Sequence, residues 1–297
     1  AEFGSMVRAI AIVPRLLVKP FFDSKWTYNT KIPSYGATGW WDKSAYKEGM
    51  VLGDIWGLQF DRFLTEDDFN ADGSLKAGLP DQTKVFPAGY QFAPGDVLYK
   101  DLDNNGEIVK QTNTNDKGDL SVIGNALPRL QFGLNLDAAW KGFDISMFFQ
   151  GVAKRKLWAA GNQVLPGFTT GEPFYKGAED YWTPENTDAF YPRPMDYKQS
   201  ASGNYSVNDR YLLNMAYLRL KTFTVGYSLP KVWLSKFKVQ GLRVYFTGEN
   251  LFTIDGVKPA IDPEIGIRTA SGKSDQRNFG RSYPYQKTVS FGIQLSL

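Results

Sequence analysis

The chain contains no histidine and no cysteine, and these two absences remove most of the side-chain chemistry that enzymes use. Without imidazole or thiol there is no Ser-His-Asp triad, no Cys-His dyad and no His or Cys ligand for zinc. A disulfide framework is excluded as well. Acidic neighbours such as Glu179 and Asp180 could mimic a glycosidase pair, but carboxylates adjacent in sequence usually belong to a solvated loop. The sequence therefore predicts a protein that is not an enzyme.

Charge of one sign and long apolar runs are also lacking. The 34 Lys and Arg residues nearly balance the 31 Asp and Glu residues, and a net charge of +3 gives no reason to expect a nucleic-acid partner. No stretch approaches the roughly 20 apolar residues of a membrane helix. The longest candidate, AIAIV at 9–13, is also too short for the apolar part of a signal peptide. The first letters, AEFGSM, resemble a cloning remnant, so residues 1–5 are set aside and 1–20 are treated as a leader of undetermined origin.

The sequence is rich in aromatic residues, at 15%, and in glycine, with 29 among 297 residues, which favours strands joined by turns. Residues 21–128 predict a loop-rich segment with a few short strands, and 50–63 within it predict a strand pair or one bent strand. From residue 129 onward apolar and polar residues alternate, as in RLQFGLNLDAAW and in the closing KTVSFGIQLSL. The predicted strands lie within 129–140, 145–155, 217–230, 241–252 and 287–297.

Strands of about 10–12 residues, joined alternately by short and long connections and ending in aromatics, are typical of a transmembrane β-barrel. The predicted fold class is therefore all-β, with antiparallel transmembrane barrel strands and long extracellular loops in residues 129–297. A soluble β-sandwich or β-helix with long strands is the alternative. Five strands do not close a barrel, and lipid does not tolerate an open sheet edge. Either weaker N-terminal strands complete a small barrel, or the chain is part of a larger one.

The segment that starts at residue 101, DLDNNGEIVKQT, begins like a calcium loop. An EF-hand places ligands at positions 1, 3, 5, 7 and 12 and a glycine at 6, and Gly106 is in that place. Position 12 is a threonine, so the last carboxylate would come from Asp116 or Asp119. The alternative is an Asx-rich hairpin turn with Gly106 at positive φ. For a site this poor in carboxylates we predict a weak calcium affinity, of the order of 10⁻⁴–10⁻³ M. The predicted ligands are Asp101, Asp103, Asn105, Glu107 (through its carbonyl) and Asp119.

Loop aromatics are candidate platforms for sugar rings. The alternative is packing within the loops or a position at the membrane interface. The predicted substrate contacts are Trp40, Trp41, Trp158, Tyr181 and Trp182. In WTPEN, Thr183 is expected to cap a short helix that begins at Pro184.

Eight stretches between residue 47 and the end follow one another in an order that is specific as a set. They are KEGMVLGDIWGLQFDRF, PGDVLYKDLDNNGEI, VIGNALPRLQFGLNLDAAWKGFDISMFFQG, YWTPENTDAFYPRP, YLRLKTFTVGYSLP, LRVYFTGENLFTI, IDPEIG and YPYQKTVSFGIQLSL. Together they resemble the SusC/RagA family of TonB-linked outer-membrane proteins. Barrels of such transporters have about 22 strands around a plug. The resemblance therefore implies the C-terminal portion of a TonB-dependent receptor, with about a third of the barrel.

The resemblance implies a place in the bacterial outer membrane and a role in TonB-dependent import of oligosaccharides or peptides. The expected partners are a SusD-like surface lipoprotein, the TonB complex, outer-membrane lipid and an oligosaccharide or peptide ligand. The alternatives are a secreted, calcium-stapled, β-rich module that binds glycans, and a structural fragment without transport activity. A secreted module should carry charges on both faces of its strands, whereas the apolar faces of 130–140 and 289–297 carry none.

Overall fold

The structure is a computed structural model that consists almost entirely of β-strands and loops. It describes residues 51, 53–110, 117–159, 161–168, 174–195, 203–235, 239–258, 261–264 and 285–296, and the backbone of 4–12, 269–270 and 273–274. In chain order the strands are β1 (Gly4–Ile12), β2 (Asp54–Gly57), β3 (Phe60–Phe63), β4 (Val97–Tyr99), β5 (Ser121–Asn125), β6 (Leu130–Trp140), β7 (Phe143–Ala153), β8 (Lys156–Leu157), β9 (Leu213–Asn214), β10 (Tyr217–Ser228), β11 (Gly241–Asp255), β12 (Thr269–Ala270), β13 (Lys273–Ser274) and β14 (Thr288–Ser296).

Six of these strands form one sheet in the order β1-β6-β7-β10-β11-β14, and every neighbouring pair is antiparallel. At one end the connections are short: Lys141 and Gly142 join β6 to β7, and a turn containing the helix α1 (Lys231–Leu234) joins β10 to β11. At the other end the connections run to tens of residues. This asymmetry is typical of outer-membrane barrels, in which the long loops face outward from the cell.

The turn between β6 and β7 explains why that connection is so short. Both of its residues have positive φ, 49° at Lys141 and 88° at Gly142, the combination that matches the right-handed twist of a two-residue hairpin. The Gly142 carbonyl also accepts a hydrogen bond from the Ser228 amide at 2.8 Å. The turn of one hairpin is thereby tied to the end of the next strand.

The register of the sheet gives it two chemically different faces. One row runs Ala138, Ile145, Val225, Phe246 and Phe291 from β6 to β14, and the rows on either side of it are equally apolar. On the described strands β6, β7, β10, β11 and β14 this apolar face carries no Asp, Glu, Lys or Arg. The alternation predicted from the sequence is therefore preserved across these five strands, apart from a change of parity at the bulge between Leu220 and Thr222.

The opposite face, called the polar face below, is built from the alternate residues. One of its rows runs Asp137, Ser146, Thr224, Thr247 and Ser290. The hydroxyls of the Thr224 and Thr247 pair are 3.1 Å apart, within hydrogen-bonding distance. Such cross-strand contacts are what a water-facing surface of a sheet uses for stability.

Above the loop end of the sheet, the long connections pack into two hydrophobic clusters. The first contains Trp158, Leu165, Tyr205 and Met215. The second contains Leu58, Val97, Tyr99 and Trp182. Since these residues are almost fully buried, the loops are a packed body and not an extended fringe.

Segment 50–63 contains two short strands, but they do not pair with each other as the predicted strand pair would, and neither belongs to the six-stranded sheet. β2 pairs with β5 and β3 pairs with β4, all within the loop body. These four-residue strands are too short to span a membrane, and they pack on side chains of the loops.

Gly4 and Ser5, two of the residues set aside as a cloning remnant, lie at the start of β1, whose backbone pairs with β6 from Gly4↔Ala139 to Ile12↔Gln131. One expectation needs correction. The expected helix after Thr183 is a single turn. The Thr183 carbonyl and hydroxyl both accept the Asn186 amide, at 2.9 and 3.1 Å, and Asn186 then bridges back to Thr183, which ends the helix before it can continue. Among the described residues no helix combines the length and the apolarity of a membrane span.

Candidate functional site

The acidic loop places three carboxylates together. Oxygen atoms of Asp101, Asp103 and Asp119 all lie within 4.8 Å of one another. Asp119 follows in sequence after the stretch 111–116, and the structure brings it back to the loop as the metal hypothesis required. The loop geometry is fixed by Gly106, which has φ 86° and donates its amide to Asp101 Oδ2 at 2.8 Å. A β-carbon at this position would meet nothing, so the requirement for glycine is conformational.

Asp119 is fully buried and is held by backbone amides. Its two oxygens accept the amides of Leu102 and Val109, each at 2.8 Å. Burial raises the pKa of Asp119, and the nearby carboxylates of Asp103 and Asp101 add to the effect, against the lowering by those two amide hydrogen bonds. A buried carboxylate whose pKa is raised by burial and by two neighbouring carboxylates would be stabilised in its ionised form by a bound cation.

The Asp101 carboxylate supplies the second relevant observation. Burial acts to raise its pKa, but the backbone amides of Gly106 and Asn104 outweigh this, and the net pKa is lowered, so the group is ionised at neutral pH. One of its oxygens, Oδ1, is shielded from solvent and has no hydrogen-bond partner among the residues that the structure describes. An ionised, shielded and unpaired oxygen is a suitable ligand for a hard cation.

The remaining predicted ligands are arranged differently. The side-chain oxygen of Asn105 accepts the Glu107 amide at 2.7 Å, and its amide group donates to Asp103 at 3.0 Å. The Glu107 carboxylate forms an ion pair with Lys84, which leaves its carbonyl as the group available to a metal. These internal bonds are also those of the predicted Asx-rich turn, so the loop geometry satisfies both alternatives and calcium binding stays a prediction.

The predicted substrate contacts are divided between the cores and the surface. Trp158 and Trp182 are 4% and 7% exposed and belong to the two hydrophobic clusters, which is where the packing alternative places them. Tyr181 is 40% exposed and lines an apolar cavity of about 450 Å³ together with Tyr191 and Tyr205. Trp40 and Trp41 lie outside the described residues.

A second cavity, of about 510 Å³, lies on the polar face of β6, β7 and β10, near the loop end. We call it the wall cavity. It is bounded by polar-face residues of these strands on one side and by loop residues, among them Arg155 and Glu264, on the other. The polar and aromatic side chains of its lining include Gln131, Asn135, Gln150, Tyr217, Glu264 and Tyr285.

A buried ion cluster closes one side of the wall cavity. Arg219 on β10 donates to Asp262 at 2.8 Å, and one of its amino groups lies 3.2 Å from Glu264. Lys221 donates to the same Glu264 oxygen at 2.7 Å. The side chains of Arg219, Asp262 and Glu264 are 4%, 5% and 8% exposed. Tyr285 covers the cluster, with its ring centroid 5.2 Å from the Arg219 guanidinium.

The sequence pattern did not predict this cluster. The stretch IDPEIG is one of those that carry the family resemblance, but the sequence predicts no role for its acidic residues Asp262 and Glu264. A usable signal was present in YLRLK, where two cations interrupt an otherwise apolar strand. Charges in such a place need carboxylate partners, because an unpaired buried charge is strongly destabilising.

The sequence is similar to curated TonB-dependent receptors. It is 29% identical over 258 residues to TonB-dependent receptor P3 of Formosa agariphila, covering 84% of this chain and 22% of that protein. It is 32% identical over 200 residues to TonB-dependent receptor P26 of the same bacterium, covering 65% and 19%. With TonB-dependent receptor SusC of Bacteroides thetaiotaomicron the identity is 25% over 242 residues, covering 78% and 22%. The chain thus spans about a fifth of the length of these relatives. No protein-family model matches it.

Solved structures of RagAB are similar in fold. The RagAB peptide transporter superposes with a TM-score of 0.57 at 16% sequence identity, covering 99% of this chain and 27% of that one. The 'open-open' state of the RagAB peptide importer gives 0.54 at 17% identity with the same coverage. The likeness concerns the fold, and it confirms the predicted class of antiparallel barrel strands with long loops.

Proposed function

We propose that the chain belongs to the SusC/RagA family of TonB-dependent receptors, to which its sequence and fold are similar, and that it forms part of the barrel wall of an outer-membrane nutrient importer. In this role the apolar face of the sheet contacts lipid, and the polar face lines the lumen through which the nutrient passes. The long loops form the outward-facing body above the membrane.

The observation that carries the proposal is the two-faced sheet. Five described strands present an outer face without Asp, Glu, Lys or Arg, although charged residues make up 22% of the chain. Exposed apolar side chains on this face include Phe291 at 82% and Ile293 at 73%. A soluble module would not leave such side chains in water over a whole sheet, whereas a lipid contact requires them.

The partners follow from the family. We propose that the importer works with a SusD-like surface lipoprotein and draws energy from the TonB complex, and that its cargo is an oligosaccharide or a peptide. The RagAB structures are named as those of a peptide transporter, which supports the peptide class for that protein, and SusC supports TonB dependence. Of the predicted substrate contacts that the structure describes, Tyr181 in the apolar cavity is the one whose side chain is exposed to a ligand.

Uptake in the bacterium of origin tests the proposal. Labelled neutral oligosaccharides, acidic oligosaccharides and peptides are offered to the wild type, to a deletion of this gene and to a strain without TonB. We expect one class of probe to be lost equally in both deletions, while a labelled monosaccharide enters all strains alike. Wild-type uptake of every probe in the gene deletion, or a tagged protein outside the outer-membrane fraction, would overturn the proposal.

We also propose that the acidic loop binds calcium as a local staple of the loop body. The donor set consists of oxygens, the ligand type that Ca²⁺ prefers, and the unpaired Asp101 Oδ1 points to a missing cation partner. Asp101, Asp103 and Asp119 would hold the ion. The expected affinity is weak because few carboxylates contribute.

Thermal unfolding with and without calcium tests whether the acidic loop binds the ion. Calcium at about 10 mM should stabilise the protein by about 1.4 kcal/mol if the dissociation constant is near 1 mM. Asp119→Asn should abolish this response, because it removes the buried carboxylate. Asp72→Asn, a change of an exposed acid that bonds Ser74, is the matched control and should leave the response intact. An identical shift in both variants, or with magnesium, would indicate a general salt effect and leave the Asx turn as the explanation.

A further inference from the structure

The wall cavity contains a polar group whose hydrogen-bonding capacity is not used. The side chain of Glu264 lines the cavity and is only 8% exposed. Its Oε2 accepts Lys221 and lies beside Arg219, and the Tyr217 hydroxyl interacts with the carboxylate, but Oε1 accepts no hydrogen bond of regular geometry from any residue that the structure describes. A buried carboxylate oxygen left unpaired costs free energy, so a donor from a ligand would stabilise it.

Three amides face the same space. Gln131 and Asn135 lie on the polar face of β6, and Gln150 lies on the adjacent β7, where its Cα pairs with that of Gly133. Within the described part of the chain, none of these three side chains makes a hydrogen bond to another residue. Each amide offers both donors and an acceptor to whatever occupies the cavity.

Aromatic surface completes the lining. Phe148 on β7 lies opposite Asn135 of β6, and Tyr217 and Tyr285 line the cavity next to the ion cluster of Glu264. Amides and a carboxylate beside aromatic rings can bind hydroxyl groups through the polar atoms and the apolar C–H face of a ring through the aromatics. A cavity of about 510 Å³ falls within the usual range of small-molecule sites.

The charges around the cavity decide between classes of ligand. Arg219 and Lys221 already offset the Glu264 carboxylate, and Arg155 also lines the cavity. Three cations, Arg155, Arg219 and Lys221, thus stand against the two carboxylates of Asp262 and Glu264, and this net positive charge disfavours an ammonium group. An anionic group would meet the unpaired lone pairs of Oε1. A hydroxyl satisfies Oε1 without either repulsion.

We infer that the wall cavity is a subsite for a neutral, hydroxyl-bearing ligand, one sugar residue of an oligosaccharide, with a hydroxyl donating to Glu264 Oε1 and others bonding the amides. This inference rests on the proposed function as an importer and assigns its cargo class to these wall residues. An ammonium group is expected to bind this position more weakly because of the net positive charge, and an anionic group more weakly because of the Oε1 lone pairs.

Binding measurements on the full-length protein in detergent test the subsite. The probes are an array of neutral oligosaccharides, acidic oligosaccharides and peptides, followed by calorimetry with the probe that binds. Gln150→Leu keeps the shape of the side chain and removes the amide. We expect it to weaken binding of a neutral oligosaccharide about tenfold, because a ligand hydroxyl loses its partner. Gln294→Leu, on the polar face of β14 and outside the cavity, is the matched control and should bind as the wild type does.

A second variant addresses the carboxylate. Glu264→Gln keeps an oxygen acceptor but removes its charge, and we expect about tenfold weaker binding of the same probe, with preference for neutral over acidic saccharides reduced. The thermal unfolding temperature of each variant is measured alongside, so that a loss of fold is recognised. In that event Gln150→Leu decides the matter, since Gln150 makes no contact in the ion cluster.

The outcomes separate the subsite from the importer. If uptake depends on TonB but no neutral oligosaccharide binds, or binding is unaffected by Gln150→Leu, the subsite is wrong and the importer stands. If peptides or acidic saccharides bind and are weakened by Gln150→Leu, the assigned ligand class is wrong. If uptake itself does not depend on this gene, the proposed function fails first.

Discussion

The strongest prediction concerns two adjacent residues in the middle of β7. Met147 lies on the apolar face, between Leu136 of β6 and Phe223 of β10. Ser146, one position earlier, lies on the polar face, between Asp137 and Thr224. Since the two positions differ in which side of the wall they face, the same substitution should have very different consequences.

Met147→Arg should be strongly destabilising. An arginine on the lipid face near the bilayer midplane costs about 2–4 kcal/mol, which corresponds to a shift of roughly 30- to 700-fold in the folding equilibrium. Ser146→Arg should change stability by less than about 0.5 kcal/mol, because the new side chain reaches water in the lumen and lies opposite the Asp137 carboxylate. Phe143→Arg, at the end of the same strand and on the apolar face, should cost about 0–1 kcal/mol because it lies near the interface.

The assay is urea unfolding of the full-length protein in lipid vesicles, followed by tryptophan fluorescence and by heat-dependent mobility on gels. Equal free energies of unfolding for Met147→Arg and Ser146→Arg would refute the assignment of faces. A larger loss for Phe143→Arg than for Met147→Arg would refute the depth assignment while leaving the faces intact.

Two further predictions concern the loop body. Gly95 has φ +90°, and a β-carbon there would lie 2.5 Å from the Trp182 ring, whereas Gly73 has φ +82° and open space around it. Gly95→Ala should therefore lower the unfolding free energy by about 1–3 kcal/mol more than Gly73→Ala. Equal losses would show that backbone strain alone matters. The hydrogen-bonded Arg62 guanidinium lowers the pKa of Asp68 to about 2. Hydrogen bonds from the Thr65 amide and hydroxyl act in the same direction, and burial acts in the opposite direction. Because the folded-state pKa lies below the unfolded one, this stabilisation is present above about pH 4 and is lost as the pH falls toward 2. Thermal unfolding against pH should show that loss in the wild type and not in Asp68→Asn, and parallel profiles would contradict it.

The long strands could be predicted from the sequence because each obeys a simple rule. A residue that faces lipid must be apolar and its neighbour faces water, so the alternation in 129–140 and 287–297 is visible without any knowledge of partners. Register could not be read in this way. The bulge next to Leu220 does change the parity of the apolar residues in β10, from 218 and 220 to 223, 225 and 227. Which residue each of them meets on the neighbouring strand, such as Met147 opposite Phe223, is not written in that pattern.

The functional residues show the same division. The acidic loop was predictable because its ligands are close in sequence, and even Asp119 was one of two candidates for the last carboxylate. The wall cavity was not, because Glu264 lies more than 100 residues after the hairpin that carries Gln131 and Gln150, and only the fold brings them together. Trp158 and Trp182 were predicted as substrate contacts or packing residues on their type, and their burial depends on loops whose packing has no period.

The pairing of β1 with β6 has a consequence for the order of assembly. The hairpin of β6 and β7 closes through two residues, whereas Ile12 meets Gln131 across more than 100 residues of chain. Local closure is fast and distant closure is slow, so β1 should dock after the neighbouring strands have formed. Until then the outer edge of β6 offers a row of free amides and carbonyls to any passing strand. Hydrogen exchange should therefore find the β1 amides the first in the sheet to exchange, and an assembly factor that occupies this edge would act as a placeholder for β1.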